Sequence, residues 1–145
     1  MTMRLLFVLG AIAAGMASTY QAAINGALST RTGLGGALVI NAIVVLASAL
    51  AFLLLRGGQA TFFPAGTPWF LYVGGVCGFF IILVAAFILP KIGAGTAVSL
   101  MVLGQGAAAL LIDHFGLLGL ERQPLTLPRF GGMALILLGV ALLRR

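Results

Sequence analysis

Amide side chains stand inside long apolar stretches of this sequence, where hydrogen bonding is the main chemistry that they offer. Gln21 and Asn25 are four residues apart, so a helix would place them on one face. Asn41 and Gln105 stand inside two later apolar stretches, and Ser18 precedes Gln21 by three residues. Such groups are costly in hydrocarbon unless they face protein, water or each other. They are candidates for binding a small solute, and bonding between helices is the simpler alternative.

Asp113 and His114 directly follow the charge-free residues 92–112, and Glu121 is the only other acidic residue. Two interpretations of Asp113 and His114 stay open. In the first, Asp113 pairs with Arg122 or Arg129 in the headgroup region, where charges at helix ends commonly lie. In the second, Asp113 or His114 is a proton or coupling-ion site in a water-filled vestibule. Because no acid or base lies deep in any stretch, a neutral or zwitterionic solute is favoured over a strongly charged one.

Charge-free apolar stretches must position these groups. The chain is 62% hydrophobic and 7% charged, whereas a soluble domain carries about 25% charged residues. A charge-free stretch of about 20 apolar residues can cross the hydrocarbon core as a helix. The pattern predicts an all-α membrane protein with a single domain over 1–145 and five transmembrane helices, and it lacks the alternation of a β-barrel. Residues 113–124 are predicted to form a loop outside the membrane. The predicted helices cover about 4–28, 34–55, 68–89, 93–112 and 127–143.

The third predicted helix carries signals at both ends. Thr67 suits an N-cap before Pro68, because proline fits the first helical turn. Pro90 is expected to break the helix at its other end. Trp69 and Tyr72 near its start are typical of the aromatic belt at a membrane interface, and gating of a cavity mouth is the alternative.

The basic residues divide equally between the two faces that five spans define. Orientation is normally set by an excess of Lys and Arg on the cytoplasmic side, and this sequence shows no such excess. We therefore expect dual topology, in which identical chains insert both ways and pair antiparallel as a ten-helix homodimer, an inverted repeat typical of secondary transporters. A fixed orientation, set near the first helix or by insertion order, is the alternative. The N-terminal face receives Arg4, Arg56, Arg122 and Arg129, and the other face receives Arg31, Lys91, Arg144 and Arg145.

Glycines inside the predicted helices suit close packing of helices in a membrane. Gly74 and Gly78 form a pair of small residues four apart. Gly132 and Gly139 share one face of the last helix and are candidates for a dimer contact. Packing within one chain is the simpler interpretation of each pair.

Several function classes are excluded by what the sequence lacks. One cysteine and one histidine cannot build a zinc site of the usual ligand spacing. There is no set of nucleophile, base and orienting group, so neither an enzyme nor a metal or other cofactor is expected. The net charge of +6 comes from basic residues scattered singly, whereas nucleic-acid binding needs a clustered basic surface.

Short segments distributed over the chain form a further pattern: Gln21–Leu28, Asn41, Pro90–Ala94, Gly104–Gln105, Ile112–Gly116, Gly119 and Arg129–Gly132. Together they resemble the YdcZ family of five-helix membrane proteins, within the drug/metabolite transporter superfamily, over essentially the whole length. The resemblance implies a multi-pass transporter of the bacterial inner membrane. The family includes dual-topology, paired and fused ten-helix members, and the balanced charges match the first kind. The resemblance implies neither a substrate nor catalytic residues.

The sequence thus predicts a secondary transporter that moves a small solute by alternating access in a dual-topology homodimer. Gln21, Asn25, Asn41 and Gln105 would bind the solute, and Asp113 or His114 would be the coupling group. Two alternatives stay open. The chain could be an accessory or assembly subunit of another membrane protein, or a lipid-handling protein with a groove open to the bilayer, although no basic cluster marks such a groove.

Overall fold

The computed structural model describes residues 2–143, and its regular elements are all helical. Two short 3₁₀ helices, Trp69–Val73 and Leu117–Gly119, accompany the α-helices. The helices group into an N-terminal unit that ends at Lys91 and a C-terminal unit that begins at Ile92. The α-helices are α1 (Met3–Leu55), α2 (Gly74–Ile92), α3 (Ala94–Phe115) and α4 (Leu127–Leu143).

Within residues 2–143, three helical segments are long and apolar enough to cross a membrane, and α4 is a shorter apolar helix. This confirms the prediction of an all-α membrane protein. The number of helices differs from the prediction, because the first two predicted helices are joined in α1. The three long segments are Met3–Leu55, Trp69–Ile92 and Ala94–Phe115.

Helix α1 is folded back on itself at Gly33. Gly33 has φ 73° and ψ 161°, a conformation that is essentially restricted to glycine. Gln21 and Asn41 would be about 30 Å apart in a straight helix, yet their amide groups lie 3.1 Å apart. The α1 helix therefore consists of two antiparallel parts, which we call the first arm (3–32) and the second arm (34–55).

The first arm continues past its predicted end near residue 28. Ser29, Thr30 and Thr32 prolong it by another turn. Their hydroxyls donate to backbone carbonyls three or four residues earlier. Because the hydroxyls are satisfied by the helix itself, these polar residues need not leave it. The chain stays helical until Gly33 imposes the turn.

Both ends of α2 differ from the prediction. Thr67 is not an N-cap, because the chain at Pro68 is extended and leads into a 3₁₀ helix that has no side-chain capping bond. The α-helix itself begins at Gly74. Pro90 does not end the helix, which continues to Ile92. A proline in the last turn removes a single helical hydrogen bond, so the turn can persist.

The first arm lies against α2 at Gly26, where the backbones come close. A Cβ atom at Gly26 would lie 3.5 Å from Cγ of Pro90 and 3.7 Å from the carbonyl oxygen of Ala86. Pro90 has no N–H with which to bond the Ala86 carbonyl in the usual helical pattern. The first arm covers this carbonyl at the position where a glycine permits the approach.

Alanine dominates the buried surface of the N-terminal unit. Ala22, Ala37, Ala85 and Ala86 are at most 9% exposed, whereas large apolar side chains such as Phe7 face outward. Small residues let helix backbones approach, and this contact drives association where lipid removes the hydrophobic force between helices. The distribution is the one expected of helices surrounded by lipid.

The C-terminal unit is an α-hairpin. Asp113 and His114 lie in the last turn of α3, which ends at Phe115, so they are helical where a loop was predicted. Gly116 ends the helix with φ 62°, and its N–H bonds the carbonyls of Asp113 and Ile112. The left-handed conformation of a C-terminal glycine is the common way to stop a helix. Helix α4 covers the residues that were predicted for it.

Candidate functional site

Three of the predicted solute-binding residues meet between the two arms of α1. Nε2 of Gln21 and Nδ2 of Asn25 each donate to Oδ1 of Asn41 at 3.1 Å. Gln21 and Asn25 share one face of the first arm, as their spacing predicted. The turn at Gly33 brings Asn41 on the second arm to them. We call these three residues the amide cluster.

The two hydrogen bonds fix the orientation of the Asn41 amide. Its oxygen has two acceptor positions, and Gln21 and Asn25 use both. Among residues 2–143, the NH₂ group of Asn41 donates to no protein group. Asn25 is buried, whereas Asn41 is partly exposed. Asn41 thus combines a satisfied acceptor with a donor that another molecule can use.

Asn41 also lies on the wall of a groove within the N-terminal unit. The groove has a volume of about 420 Å³, within the range of about 300–1,000 Å³ that small-molecule sites occupy. Asn41 is the sole residue with a polar side chain among those that line it, and the remaining walls are aliphatic, aromatic or glycine. The second arm contributes Leu38, Val45 and Leu46, and α2 contributes Gly75, Gly78 and Phe79.

Ser18 does not join the amide cluster, and Gln105 belongs to the C-terminal unit. Ser18 lies on the first arm about one turn before Gln21, and its side chain is exposed. Gln105 lies on α3 in the C-terminal unit and is also exposed. Their roles in solute binding stay predictions.

Charged residues gather where α3 ends and α4 begins. Nη1 of Arg129 lies 3.3 Å from Oδ2 of Asp113, and both side chains are about one-third exposed. Arg129 also donates to the backbone and side-chain oxygens of Gln123. An acid near a helix C-terminus and a base near a helix N-terminus each oppose the helix dipole, so pairing offsets two unfavourable positions. Of the two arginines considered as partners of Asp113, the structure pairs Arg129 with it.

His114 holds the loop that follows α3. Its Nδ1 atom accepts the backbone N–H of Leu125 at 3.2 Å. Its carbonyl accepts Nε of Arg122 at 3.0 Å. We call Asp113, His114, Gln123 and Arg129 the charged cluster. Through these contacts Asp113 and His114 anchor the loop to the end of α3. The coupling role of Asp113 or His114 stays a prediction.

The aromatic residues before α2 lie outside the groove walls. Trp69 is 77% exposed and Tyr72 44% exposed. The ring of Tyr72 packs against Phe63 with centroids 5.4 Å apart, and Trp69 meets Phe70 edge to face. Exposed aromatic rings at the end of a span suit a membrane interface. The gating role of Trp69 and Tyr72 stays a prediction.

Gly132 and Gly139 leave space on one side of α4. A Cβ atom at either position would meet no other heavy atom within 4 Å. Helices of two membrane subunits approach most closely at such positions. The face is therefore free for a second copy, and the dimer contact stays a prediction.

The sequence reasoning missed the groove and the contact between Gln123 and Arg129. Gly75 and Gly78 were visible as small residues on the third predicted helix, but no sequence signal pairs that helix with the second arm. Gln123 stood in a stretch predicted to be a loop, where side-chain partners depend on how the loop folds. The loop folds back over α3 after the turn at Gly116, where the N–H of Gln123 bonds the carbonyl of Asp113 at 2.8 Å, and no sequence signal indicated this.

Residues 6–142 match the sequence profile of the family described as "Putative inner membrane exporter, YdcZ". The chain belongs to the YdcZ family. No curated protein and no solved structure matches it. The family match confirms the resemblance and the inner-membrane location that the sequence predicted. The match places the chain among membrane exporters of the drug/metabolite transporter superfamily. It therefore indicates a transporter rather than an enzyme.

Proposed function

We propose that this YdcZ-family protein exports a small solute by alternating access, as an antiparallel homodimer with the amide cluster at its centre. The bonds among Gln21, Asn25 and Asn41 carry the proposal, because they gather uncharged polar groups between two apolar helical segments. Each subunit would have five spans, formed by the two arms of α1, the segment Trp69–Ile92, α3 and α4. The outward direction of transport follows the description of the family.

The position of the amide cluster along α1 supports a site near the middle of the membrane. Asn25 and Asn41 are each eight residues from Gly33, and Gln21 is twelve residues from it. These separations correspond to about 12 Å and 18 Å of helix. With the turn at the edge of a hydrocarbon core about 30 Å thick, the cluster would lie across the midplane. Substrate sites of secondary transporters are typically found at this depth.

An antiparallel pair would bring two amide clusters to one level. Inversion about the midplane leaves the depth of a group at the midplane unchanged, so two copies could face a shared cavity. The equal division of basic residues supports such a pair. Two of them, Arg144 and Arg145, lie outside the described residues. The open faces of Gly132 and Gly139 are where we place the dimer contact.

The chemistry of the site favours a solute without a strong net charge. The amide cluster and the groove contain no ionisable side chain. An uncompensated charge would be costly there. Gln105 would add a hydrogen bond when the cavity is assembled. Asp113 or His114 would couple transport to protons or another ion, provided that the loop over α3 opens to release them.

Flux through liposomes containing only the purified protein tests the proposal. The solutes would be a radiolabelled panel of neutral and zwitterionic compounds. Asn41→Leu removes the acceptor that joins the two arms, and we expect it to lower flux by about tenfold, which corresponds to about 1.4 kcal/mol.

Ser48→Ala is the matched control for Asn41→Leu. Ser48 lies on the second arm, seven residues after Asn41, and its hydroxyl donates to the Val44 carbonyl at 2.8 Å. Flux in this variant should equal that of the wild type. Equal flux in all three proteins would remove the amide cluster from the mechanism. No flux of any solute by the pure wild-type protein would indicate an accessory subunit.

A further inference from the structure

The groove beside the amide cluster combines one fixed donor with walls that are otherwise apolar. We infer that this groove binds a neutral, largely apolar small molecule that carries a hydrogen-bond acceptor, such as a ketone or ester. The acceptor would bond the NH₂ group of Asn41. This inference rests on the proposed function and names the class of solute that the site takes.

The donor character of the site follows from the orientation of Asn41. Its Oδ1 atom accepts both Gln21 and Asn25 at 3.1 Å, so its NH₂ group is turned away from them. Asn41 lines the groove, and among residues 2–143 its NH₂ group donates to no protein atom. Asn41 is partly exposed, so this donor is accessible to a molecule in the groove. A ligand carbonyl at this place would give the NH₂ group a hydrogen-bond partner.

The walls of the groove define the rest of the ligand. Val45 and Leu46 from the second arm and Phe79 from α2 present aliphatic and aromatic surface. No charged residue lines the groove, so an ionised ligand would lose hydration without gaining a counter-charge. Gly78 adds space, because a Cβ atom there would meet no heavy atom within 4 Å. An aromatic ring system with one carbonyl matches this combination.

Two other occupants match the apolar walls but not the donor. A helix from a second copy would bring carbonyls already bonded within that helix. The hydrocarbon tail of a lipid carries no acceptor, and its ester carbonyl lies at the edge of the hydrocarbon core, away from the depth that we assign to Asn41. Either would leave the NH₂ group of Asn41 unbonded. A small molecule with an acceptor satisfies both the walls and the donor.

Binding of a matched pair of probes to the purified protein in lipid nanodiscs tests the inference. Radiolabelled 2-acetylnaphthalene supplies a ketone, and 2-isopropenylnaphthalene has nearly the same shape without an acceptor. Binding to empty nanodiscs would be subtracted. We expect the ketone to bind about 3- to 10-fold more tightly than the alkene, the gain expected of one hydrogen bond. A naphthylmethyl-trimethylammonium cation should compete weakly.

Two variants locate the binding. In Asn41→Leu the ketone and the alkene should bind with equal affinity, because the donor is gone. Gly78→Leu should weaken both by at least about tenfold by filling the groove, and leucine suits a helix better than glycine does. Gly10→Leu is the control, because Gly10 also faces open space but lies on the first arm away from the groove. This variant should bind both probes as the wild type does.

The outcomes separate this inference from the proposed function. Equal affinity of ketone and alkene in the wild type, tighter binding of the cation, or full binding by Gly78→Leu would each overturn the inference. Absence of probe binding, together with dissociation of the dimer in Gly78→Leu, would assign the groove to a second copy and overturn it as well. Flux of a panel solute without this binding pattern would leave the proposed function standing. The expected binding pattern without flux of any panel solute would leave the inference standing and overturn the proposed function.

Discussion

The amide cluster and the charged cluster differ in how fully their polar groups are bonded within the chain. The amide cluster joins two apolar arms with uncharged groups, and the donor of Asn41 stays free. The charged cluster lies where α3 ends and α4 begins, and its members bond each other and the adjoining loop. The three amides of the cluster lie eight or more residues from the turn at Gly33, whereas Asp113 and Arg129 lie at helix ends.

This difference indicates which cluster is organised for a ligand. Pairing of Asp113 with Arg129 offsets two unfavourable positions relative to the helix dipoles and leaves little to offer a solute. The amide cluster has no such internal balance, since its hydrogen bonds use the Asn41 oxygen but not its NH₂ group. We assign the charged cluster the role of anchoring the loop. We assign the amide cluster the role of a ligand site in which one donor is left unbonded.

The largest effect is expected at Gly33, since the amide cluster exists only if the chain turns there. Gly33→Ala places a side chain at φ 73° and ψ 161°, which costs about 1–3 kcal/mol. Unfolding in mixed micelles, followed by circular dichroism, measures this loss. The probe binding described above should fall with it, while the ion pair of Asp113 should persist.

Gly35→Ala is the control for the substitution at Gly33. Gly35 lies two residues later at the start of the second arm, and a Cβ atom there would meet nothing within 4 Å. Alanine in a helix should leave stability unchanged or raise it by up to about 1 kcal/mol. If both alanine variants behaved alike, the turn at Gly33 would not hold the arms together.

The first-arm spacing shows how far sequence could predict the site. Gln21 and Asn25 were assigned to one face from their separation alone, because helix geometry fixes it. Asn41 was grouped with them as a solute-binding residue, but the hydrogen bonds that join the three depend on the conformation of Gly33 between the arms. The back-bonding of Ser29 and Thr30, which lengthens the first arm, likewise depends on local geometry that composition does not encode.

The ends of the helices were the weakest part of the prediction. Pro90 was expected to break α2, but a proline in a last turn costs one bond and the helix persisted. Asp113 had two arginines within reach in sequence, and only the fold of the loop selects Arg129. The apolar stretches themselves predicted the helices well, because membrane thickness sets their length.

A second prediction concerns the strength of the amide cluster. A double-mutant cycle with Asn25→Ala and Asn41→Ala should give a coupling energy of about 0.6–1.7 kcal/mol, the range for hydrogen bonds between membrane helices. The value should not change with salt, because neither group is charged. Unfolding of the four proteins at low and high salt provides the measurement. Zero coupling would mean that the two amides do not bond in the membrane.

The smallest effect is expected in the charged cluster. The matching cycle with Asp113→Ala and Arg129→Ala should give less than about 1 kcal/mol, because partly exposed ion pairs contribute little. Salt should reduce this coupling, since ions screen exposed charges. A coupling energy above that of the amide pair, or one insensitive to salt, would reverse the comparison between the two clusters.

Labelling of single cysteines in spheroplasts tests the antiparallel arrangement most directly. In a Cys77→Ser background, Thr32→Cys marks the turn and Gln59→Cys marks the other end of the second arm, and both positions are exposed. The account predicts that a membrane-impermeant maleimide labels about half of the molecules at each position, because chains insert both ways. Complete labelling at one position and none at the other would establish a single orientation and contradict the antiparallel homodimer.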